Sequence, residues 1–300
     1  MSPIECRFPE SPLMNTLNAD LHSHSNRSDG TLAPRVLAER AKANQVELWA
    51  LTDHDELSGQ AEAAAAAREL GMDWLSGVEI SVTFAGETVH IVGLGMDLRH
   101  PPLRDGLARI RAGRTARAQA MADGLAMVGI KGAFDGALRY VSNPELVSRT
   151  HFARWLVETG VCSDFGSVFR RYLTHGKPGY VEHQWAGLGE AVHWITGGGG
   201  AAVIAHPGRY KFSATAEYEL FSEFKTHGGI GVEVVTGSHG QADVKKYSDM
   251  ALEFDLLASR GSDFHSPEES RTELGCLSDL SLQLSPVWTT LQSRIQRASG

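Results

Sequence analysis

Residues 20–24 read Asp-Leu-His-Ser-His. On an extended strand, alternate side chains face the same way, so His22 and His24 share one face and Ser23 turns to the other. Two neutral imidazoles held that close together suit a metal ion. The run has five echoes: Thr-Asp-His-Asp (52–55), Gly-Val-Glu (77–79), Val-His-Ile-Val-Gly (89–93), Ala-His-Pro-Gly (205–208) and Ser-Asp-Phe-His (262–265). Nearly every one closes a short apolar run of the kind a buried strand makes. The repeated placement carries more weight than any single motif.

Working outward, the first hundred residues alternate strand-like and helix-like stretches. Strands are expected at 19–23, 46–52, 73–81 and 88–93, and helices at 34–44 and 56–70. Pro34 suits a first helical turn, and Gly71 can close the alanine-rich second helix in the left-handed conformation. From about residue 99 to 189 the alternation gives way to helical periodicity and basic, aromatic and glycine-rich loops. The rhythm then resumes with a helix near 189–196 and strands at 201–205, 231–235 and 256–259. Repeated β/α units imply a parallel sheet, here a closed or nearly closed α/β barrel with active-site residues at the strand C-termini. The expected organisation is a barrel from residues 1–98 and 190–300, with a helical insertion over 99–189 that sets specificity.

Composition sets the outer bounds. Three hundred residues with 42% hydrophobic and 21% charged side chains describe a chain able to bury a full core. Residues 1–18 lack a basic-then-apolar leader pattern, no apolar run reaches membrane-spanning length, and Cys6, Cys162 and Cys276 are scattered. A reducing cytoplasm fits, with no membrane and no protein partner expected. A net charge of −8 argues against a general nucleic-acid coat. Bound divalent cations would reverse that sign locally, so a small phosphorylated substrate remains compatible.

Nine side chains are candidate ligands: His22, His24, Asp29, His54, Glu79, His90, His206, Asp263 and His265. One zinc takes four. Nine suit two or three ions sharing a carboxylate. The nitrogen-and-oxygen set fits Mn, Fe or Zn, with Mn placed first. Asp53 is positioned to orient His54 as an outer acceptor. His100, His151, His183 and His239 follow no buried strand and read as ordinary histidines.

As a set these motifs, with Ser-Asp-Gly at 28–30, resemble the polymerase-and-histidinol-phosphatase (PHP) family over roughly residues 19–98 and 190–280. The resemblance implies a distorted seven-stranded β/α barrel with two or three metals. It would place His22, His24, Glu79 and Asp263 on one ion, bridge Glu79 to a second with His90 and His206, and give Asp29, His54 and His265 a third.

Such ions activate water and stabilise both oxygens of a phosphoryl transfer. The expected reaction is direct metal-hydroxide attack on phosphorus, with His206 assisting the leaving oxygen as general acid. Ser23, on the opposite face, is discounted as a nucleophile. Val-Ser-Arg-Thr-His-Phe-Ala-Arg (147–154) and His-Gly-Lys-Pro-Gly-Tyr-Val (175–181) each place a cation in a turn or at a helix start, making Arg149 and Lys177 candidates for a second phosphate. Arg209 is near enough to His206 to reach the reacting phosphate. Phe134 is a candidate for stacking on a base and Arg104 for bordering the pocket, while the remaining arginines of the 104–127 helix read as a solvated face. The two insert motifs resemble the family branch of 3′,5′-nucleoside bisphosphate phosphatases, related to a 5′-to-3′ exoribonuclease. That implies removal of the 3′-phosphate from a nucleotide such as adenosine 3′,5′-bisphosphate. The competing readings are a nuclease for short oligonucleotides, a histidinol-phosphate phosphatase, and a metal-bound nucleotide sensor without turnover.

Overall fold

The computed structural model of the chain describes residues 17–141, 143–183 and 185–298; residue Cys6 and the rest of the amino-terminal stretch lie outside them. Strand β1 (Ala19–Asp20) leads through helix α1 (Pro34–Ala43) to β2 (Leu48–Ala50), then through α2 (Gln60–Glu69) to β3 (Asp73–Leu75). These strands form a parallel sheet in the order β1-β2-β3. Helix α1 begins with Pro34 and buries Leu37, Ala38 and Ala41, an i, i+1, i+4 stripe. Helix α2 buries Ala63, Ala66 and Ala67 against α1 and ends before Gly71, whose φ of 67° lies in the left-handed region. Trp49 and Trp74 meet edge to face beneath both helices, with ring centroids 5.2 Å apart.

The expected strand at 73–81 divides. At Ser76 the chain leaves the first sheet, and β4 (Gly77–Phe84) begins the second. It turns back through Ala85 and Gly86, with φ of 48° and 80°, into β5 (Glu87–Leu94). Two central residues with positive φ make the short turn whose twist matches an antiparallel hairpin. The all-parallel expectation therefore fails here: β4–β5 and β5–β7 are antiparallel.

Helices then follow in succession: α3 (Pro101–Ala112), α4 (Arg114–Met127), α5 (Ala133–Leu138), α6 (Arg149–Glu158) and α7 (Phe165–Val168). Leu103, Leu107 and Ile110 of α3 pack into the main core. A separate apolar cluster runs from Ala118 to Leu173 among α4–α7. Strand β6 (Ala186–Gly187) adds to β4, helix α8 (Leu188–Gly197) crosses the sheet, and β7 (Ala201–Ile204), α9 (Ala214–Thr226), β8 (Gly231–Thr236), α10 (Gln241–Glu253) and β9 (Leu257–Gly261) finish it. The second sheet is mixed, in the order β6-β4-β5-β7-β8-β9.

The regular ladders thus form two sheets, and no ring of continuous ladders closes among the described residues. Single backbone hydrogen bonds cross the two seams. On one side Leu21 N–H donates to Arg260 O (3.1 Å), Asp263 N–H to His22 O (2.8 Å) and His24 N–H to Phe264 O (2.8 Å). On the other, Glu79 N–H donates to Thr52 O (3.1 Å) and Asp55 N–H to Glu79 O (2.9 Å). The motifs of His22 and His24, His54, Glu79, and Asp263 and His265 lie along these seams, while His90 on β5 and His206 after β7 belong to the second sheet. Ser23 faces away, as the alternation requires: its Oγ accepts from Trp49 Nε1 and donates to Ala50 O.

Close approach at a seam explains one glycine. A Cβ on Gly261 would sit 2.3 Å from His22 Cβ and 2.7 Å from its backbone nitrogen. Gly261→Ala should therefore push the His22 strand outward, costing about 1–3 kcal/mol. A fall in Tm of several degrees in a thermal melt is expected; an unchanged Tm would contradict the packing described.

Candidate active site

Glu79 is the third residue of β4 with its side chain fully buried, and five histidines converge on its carboxylate. Oε2 lies 3.2 Å from both His22 Nε2 and His24 Nε2 and 3.0 Å from His54 Nδ1. Oε1 lies 2.8 Å from His90 Nδ1 and 2.9 Å from His206 Nε2. Asp263 and Asp29 complete the set. Asp263 Oδ1 is 3.5 Å from His22 Nε2 and 3.2 Å from His24 Nε2; Asp29 Oδ1 is 3.3 Å from His265 Nε2 and 3.8 Å from His54 Nε2. All nine residues expected as ligands meet in one place.

The donor atoms fall into three groups compact enough to hold ions: His22, His24, Glu79 and Asp263; His54, Glu79 and His90; and His24, Asp29, His54 and His265. Several buried donor atoms here make no well-formed hydrogen bond, among them His24 Nδ1, His206 Nδ1, Asp29 Oδ1 and Asp263 Oδ1. Leaving buried polar atoms without good partners is costly. Divalent metal ions answer the deficit, and the oxygen-and-nitrogen donors suit them.

The electrostatics agree. Burial works to raise the Glu79 carboxyl, yet the surrounding histidines, His54 and His90 foremost, hold it well below the usual carboxylate range. Asp29 and Asp263 are likewise held down against burial, Asp29 by His54 and His265, Asp263 by Arg209 and His22. Among the imidazoles, burial opposes charge on His22 and His24, but Glu233, Glu79 and Asp263 pull His22 well above its ordinary value, and hydrogen bonds to Asp263 and Glu79 bring His24 up to about 10. His206 goes the other way: burial and Arg209 push it down to about 4. A neutral His206 suits a ligand and lacks the proton a general acid must give at neutral pH.

A second tier of buried acids fastens this cluster, and most of it is not apparent from the motifs. Glu233 on β8 accepts from His22 Nδ1 at 2.7 Å and from the His206 backbone N–H at 2.7 Å. Its setting, Gly-Val-Glu at 231–233, duplicates the tripeptide at 77–79, a signal that could have found it. Asp20 accepts the backbone N–H groups of Ser262 and Gly275, fixing the turn before Asp263. Asp53 does not orient His54 as expected: it accepts from Ser25 N–H, Ser25 Oγ and Ser28 Oγ, and so holds the loop that follows His24. Asp55 accepts from Ser81 N–H and Oγ and from Arg114.

The anticipated substrate groups divide. Arg149, at the start of α6, lines a cavity of about 210 Å³ together with Asp29, His54, His90 and Arg209. Arg209 pairs with Asp263 at 2.6 Å. The other three lie elsewhere. Lys177 is exposed on a turn and does not line that cavity. Arg104 faces a different groove beside Glu56 and Arg99. Phe134 packs, partly buried, on the α4–α7 cluster. In their place stand Arg114 and Arg117 on α4, 5% and 9% exposed, so this part of the helix is no solvated face. Trp185 stacks on both guanidinium groups, at 4.7 and 5.3 Å. Burial, Arg149 and Arg114 push Arg117 down to about 10, and burial lowers Arg149 too. Crowded, partly unpaired guanidiniums of this kind await an anion.

The PHP domain model matches residues 20–141. A 3′,5′-nucleoside bisphosphate phosphatase of Chromobacterium violaceum is 52% identical over 280 residues, covering 93% of this chain and 98% of the relative. A 5′-3′ exoribonuclease of Haemophilus influenzae is 41% identical over 273 residues, covering 91% and 98%. The structure of an amidohydrolase from Chromobacterium violaceum, with bound sulfate and no metal, superposes with a TM-score of 0.91 at 51% identity, covering 94% of this chain and 98% of that one. No helix among the described residues is long and apolar enough to cross a membrane.

Two outcomes follow. Glu233→Gln should weaken divalent-metal affinity about 10- to 100-fold with unchanged circular dichroism; unaltered affinity would contradict its role in orienting His22. His24, raised to about 10, stabilises the metal-free protein fully below its unfolded value near 6.5, and that contribution fades as pH rises towards 10. Metal needs the imidazoles neutral, so binding at pH 7 should release protons and tighten with rising pH. Calorimetric titration with Mn²⁺ in buffers of different ionisation enthalpy should show it; heats independent of buffer would refute it.

Proposed function

The chain belongs to the PHP family, and from that footing we propose that it hydrolyses the 3′-phosphate of nucleoside 3′,5′-bisphosphates to give the nucleoside 5′-monophosphate and phosphate. The observation that carries the reading is the junction of two unlike walls: a buried histidine–carboxylate cluster around Glu79, and a cavity whose cations are Arg114, Arg117 and Arg149. One substrate with two phosphates on one ribose uses both. His22, His24, Asp29, His54, Glu79, His90, His206, Asp263 and His265 would hold two or three ions, manganese first given three carboxylates among the donors. Bound there, divalent ions supply Lewis-acid stabilisation of the phosphoryl oxygens and activation of water.

The chain's own groups do the rest. Arg209 offers charge to the reacting phosphate from beside Asp263. Arg149 and Arg117 receive the distal phosphate, and Arg114 is fixed by Asp55 and Ser81 at the same wall. Trp185 covers the guanidiniums and limits their access to water. We read the two sheets as one distorted ring joined at its seams, and residues 99–189 as the insertion that supplies the distal-phosphate groups. A pocket for histidinol phosphate would need an acid facing the substrate amine, and the cationic wall weighs against it. A sensor without turnover gains no support, since the full donor set is present.

Phosphate release from a nucleotide panel, with metal and after chelation, tests the reaction class. Arg149→Ala tests the substrate. It should lower kcat/KM for adenosine 3′,5′-bisphosphate by about 10- to 100-fold. The loss on a simple aryl phosphate should be far smaller; equal losses on both would refute the assignment.

A further inference from the structure

The turn that carries His206 and Arg209 is held at three points, and one of them lies outside the ligand cluster. His206 has a backbone φ of 26° and ψ of 57°, a strained conformation that persists only where the surroundings impose it. Pro207–Arg209 then forms one turn of 3₁₀ helix, closed by Arg209 N–H donating to His206 O and Tyr210 N–H donating to Pro207 O. The two ends are fixed within the site. Glu233 accepts the His206 backbone N–H, and the Tyr210 hydroxyl accepts the His90 N–H and donates to Ala205 O. The middle rests on a different element. Gly208 N–H donates to Nε2 of His239 at 3.1 Å. His239 stands between β8 and α10, and its Nδ1 meets Val234 O at 2.9 Å.

Those two contacts settle the state of the ring. A carbonyl oxygen only accepts and an amide N–H only donates, so His239 is the neutral tautomer with its proton on Nδ1 and a bare Nε2. Burial favours the neutral ring by holding it below its ordinary pKa. Tyr247 of α10 stacks on it with centroids 4.9 Å apart, and the Tyr247 hydroxyl is itself tied to Glu217 at 2.8 Å. The fit against the turn is close: a Cβ on Gly208 would stand 2.9 Å from His239 Cδ2. Resting on the reading of the preceding section, we propose that His239 is a positioning residue, which holds Gly208 so that the next residue, Arg209, is aimed at the reacting phosphate. With the Gly208 N–H released, the turn keeps only its own two hydrogen bonds. His206 stays anchored without His239, by Glu233 at its backbone and by Glu79 at its ring, 2.9 Å away. The loss therefore falls on Arg209 and leaves the metal ligands in place.

Two substitutions separate this role from packing. Gln carries its amide oxygen as many bonds from Cα as Nε2, and so keeps an acceptor for Gly208. Asn carries its amide nitrogen as many bonds out as Nδ1, and so keeps the donor for Val234 and loses the acceptor. In Mn²⁺-loaded protein, His239→Asn should lower kcat/KM about tenfold, and by the same factor for adenosine 3′,5′-bisphosphate and a simple aryl phosphate, since both present a reacting phosphate. His239→Gln should recover most of that loss. Mn²⁺ affinity, measured by calorimetric titration, should match the wild type in both variants. Equal losses for Asn and Gln would overturn the role, as would a loss confined to the bisphosphate or weakened metal binding in His239→Asn. Should His239→Asn fail to fold, the wild-type ring answers instead. Nitrogen NMR of labelled histidine, assigned against His239→Gln, should show the Nδ1–H tautomer at neutral pH; an Nε2–H or charged ring would overturn the proposal. A wild type active on the aryl phosphate and inert on the bisphosphate overturns the preceding reading, and the Asn and Gln comparison on the aryl phosphate still decides the role of His239. A wild type inert on both overturns the two together.

Discussion

One buried carboxylate organises this molecule. Glu79 has no exposed surface and stands within 3.2 Å of five imidazoles. Burying a lone carboxylate in a sheet core is prohibitive, and burying imidazoles with unfilled nitrogens is scarcely better. Together they form a site whose charges and lone pairs balance once cations join them. The seams make the convergence possible, since single cross-seam hydrogen bonds satisfy the backbone while the side chains turn inward. The chain accepts backbone strain to achieve it: Asp55, His206 and Asp263 all have positive φ, at 52°, 26° and 54°.

Around this centre the acids divide their labour. Asp29, Glu79 and Asp263 face the cluster; Asp20, Asp53, Asp55 and Glu233 grip the loops that deliver it. Burial raises the Asp53 carboxyl to about 6 even though Ser25, His24 and Ser28 favour its ionised form. The helices of the 99–189 region are tied in by the same means. Arg154 of α6 donates to Asp29 O at 2.5 Å and to both oxygens of Glu269 at 2.6 and 2.8 Å. Substrate-facing Arg149 thus shares a helix with a clamp on a ligand-bearing loop.

The cluster was legible because its residue types are rare in buried strands and its motifs recur at strand ends. His-Ser-His needs only strand alternation to be read. The hairpin was not legible, since Ala85-Gly86 is a weak turn signal and the parallel rhythm on either side overrode it. Lys177, Arg104 and Phe134 failed for a shared reason: a cation or ring in a loop carries no direction in one sequence, and only tertiary packing decides which way it points. Arg114 and Arg117 were hidden by their neighbours, because Arg104, Arg109 and Arg111 make the whole stretch look solvated. Their burial depends on Trp185 and Asp55, both more than 50 residues away.

The central claim is that the Glu79 cluster is a polynuclear cation site, and anomalous X-ray diffraction tests it most directly. Crystals of active, chelator-free protein, measured on both sides of the manganese, iron and zinc edges, should show more than one peak within coordination distance of the Glu79 carboxylate, flanked by His22, His54 and His206. Fully active protein with no anomalous peak at that carboxylate would contradict the account.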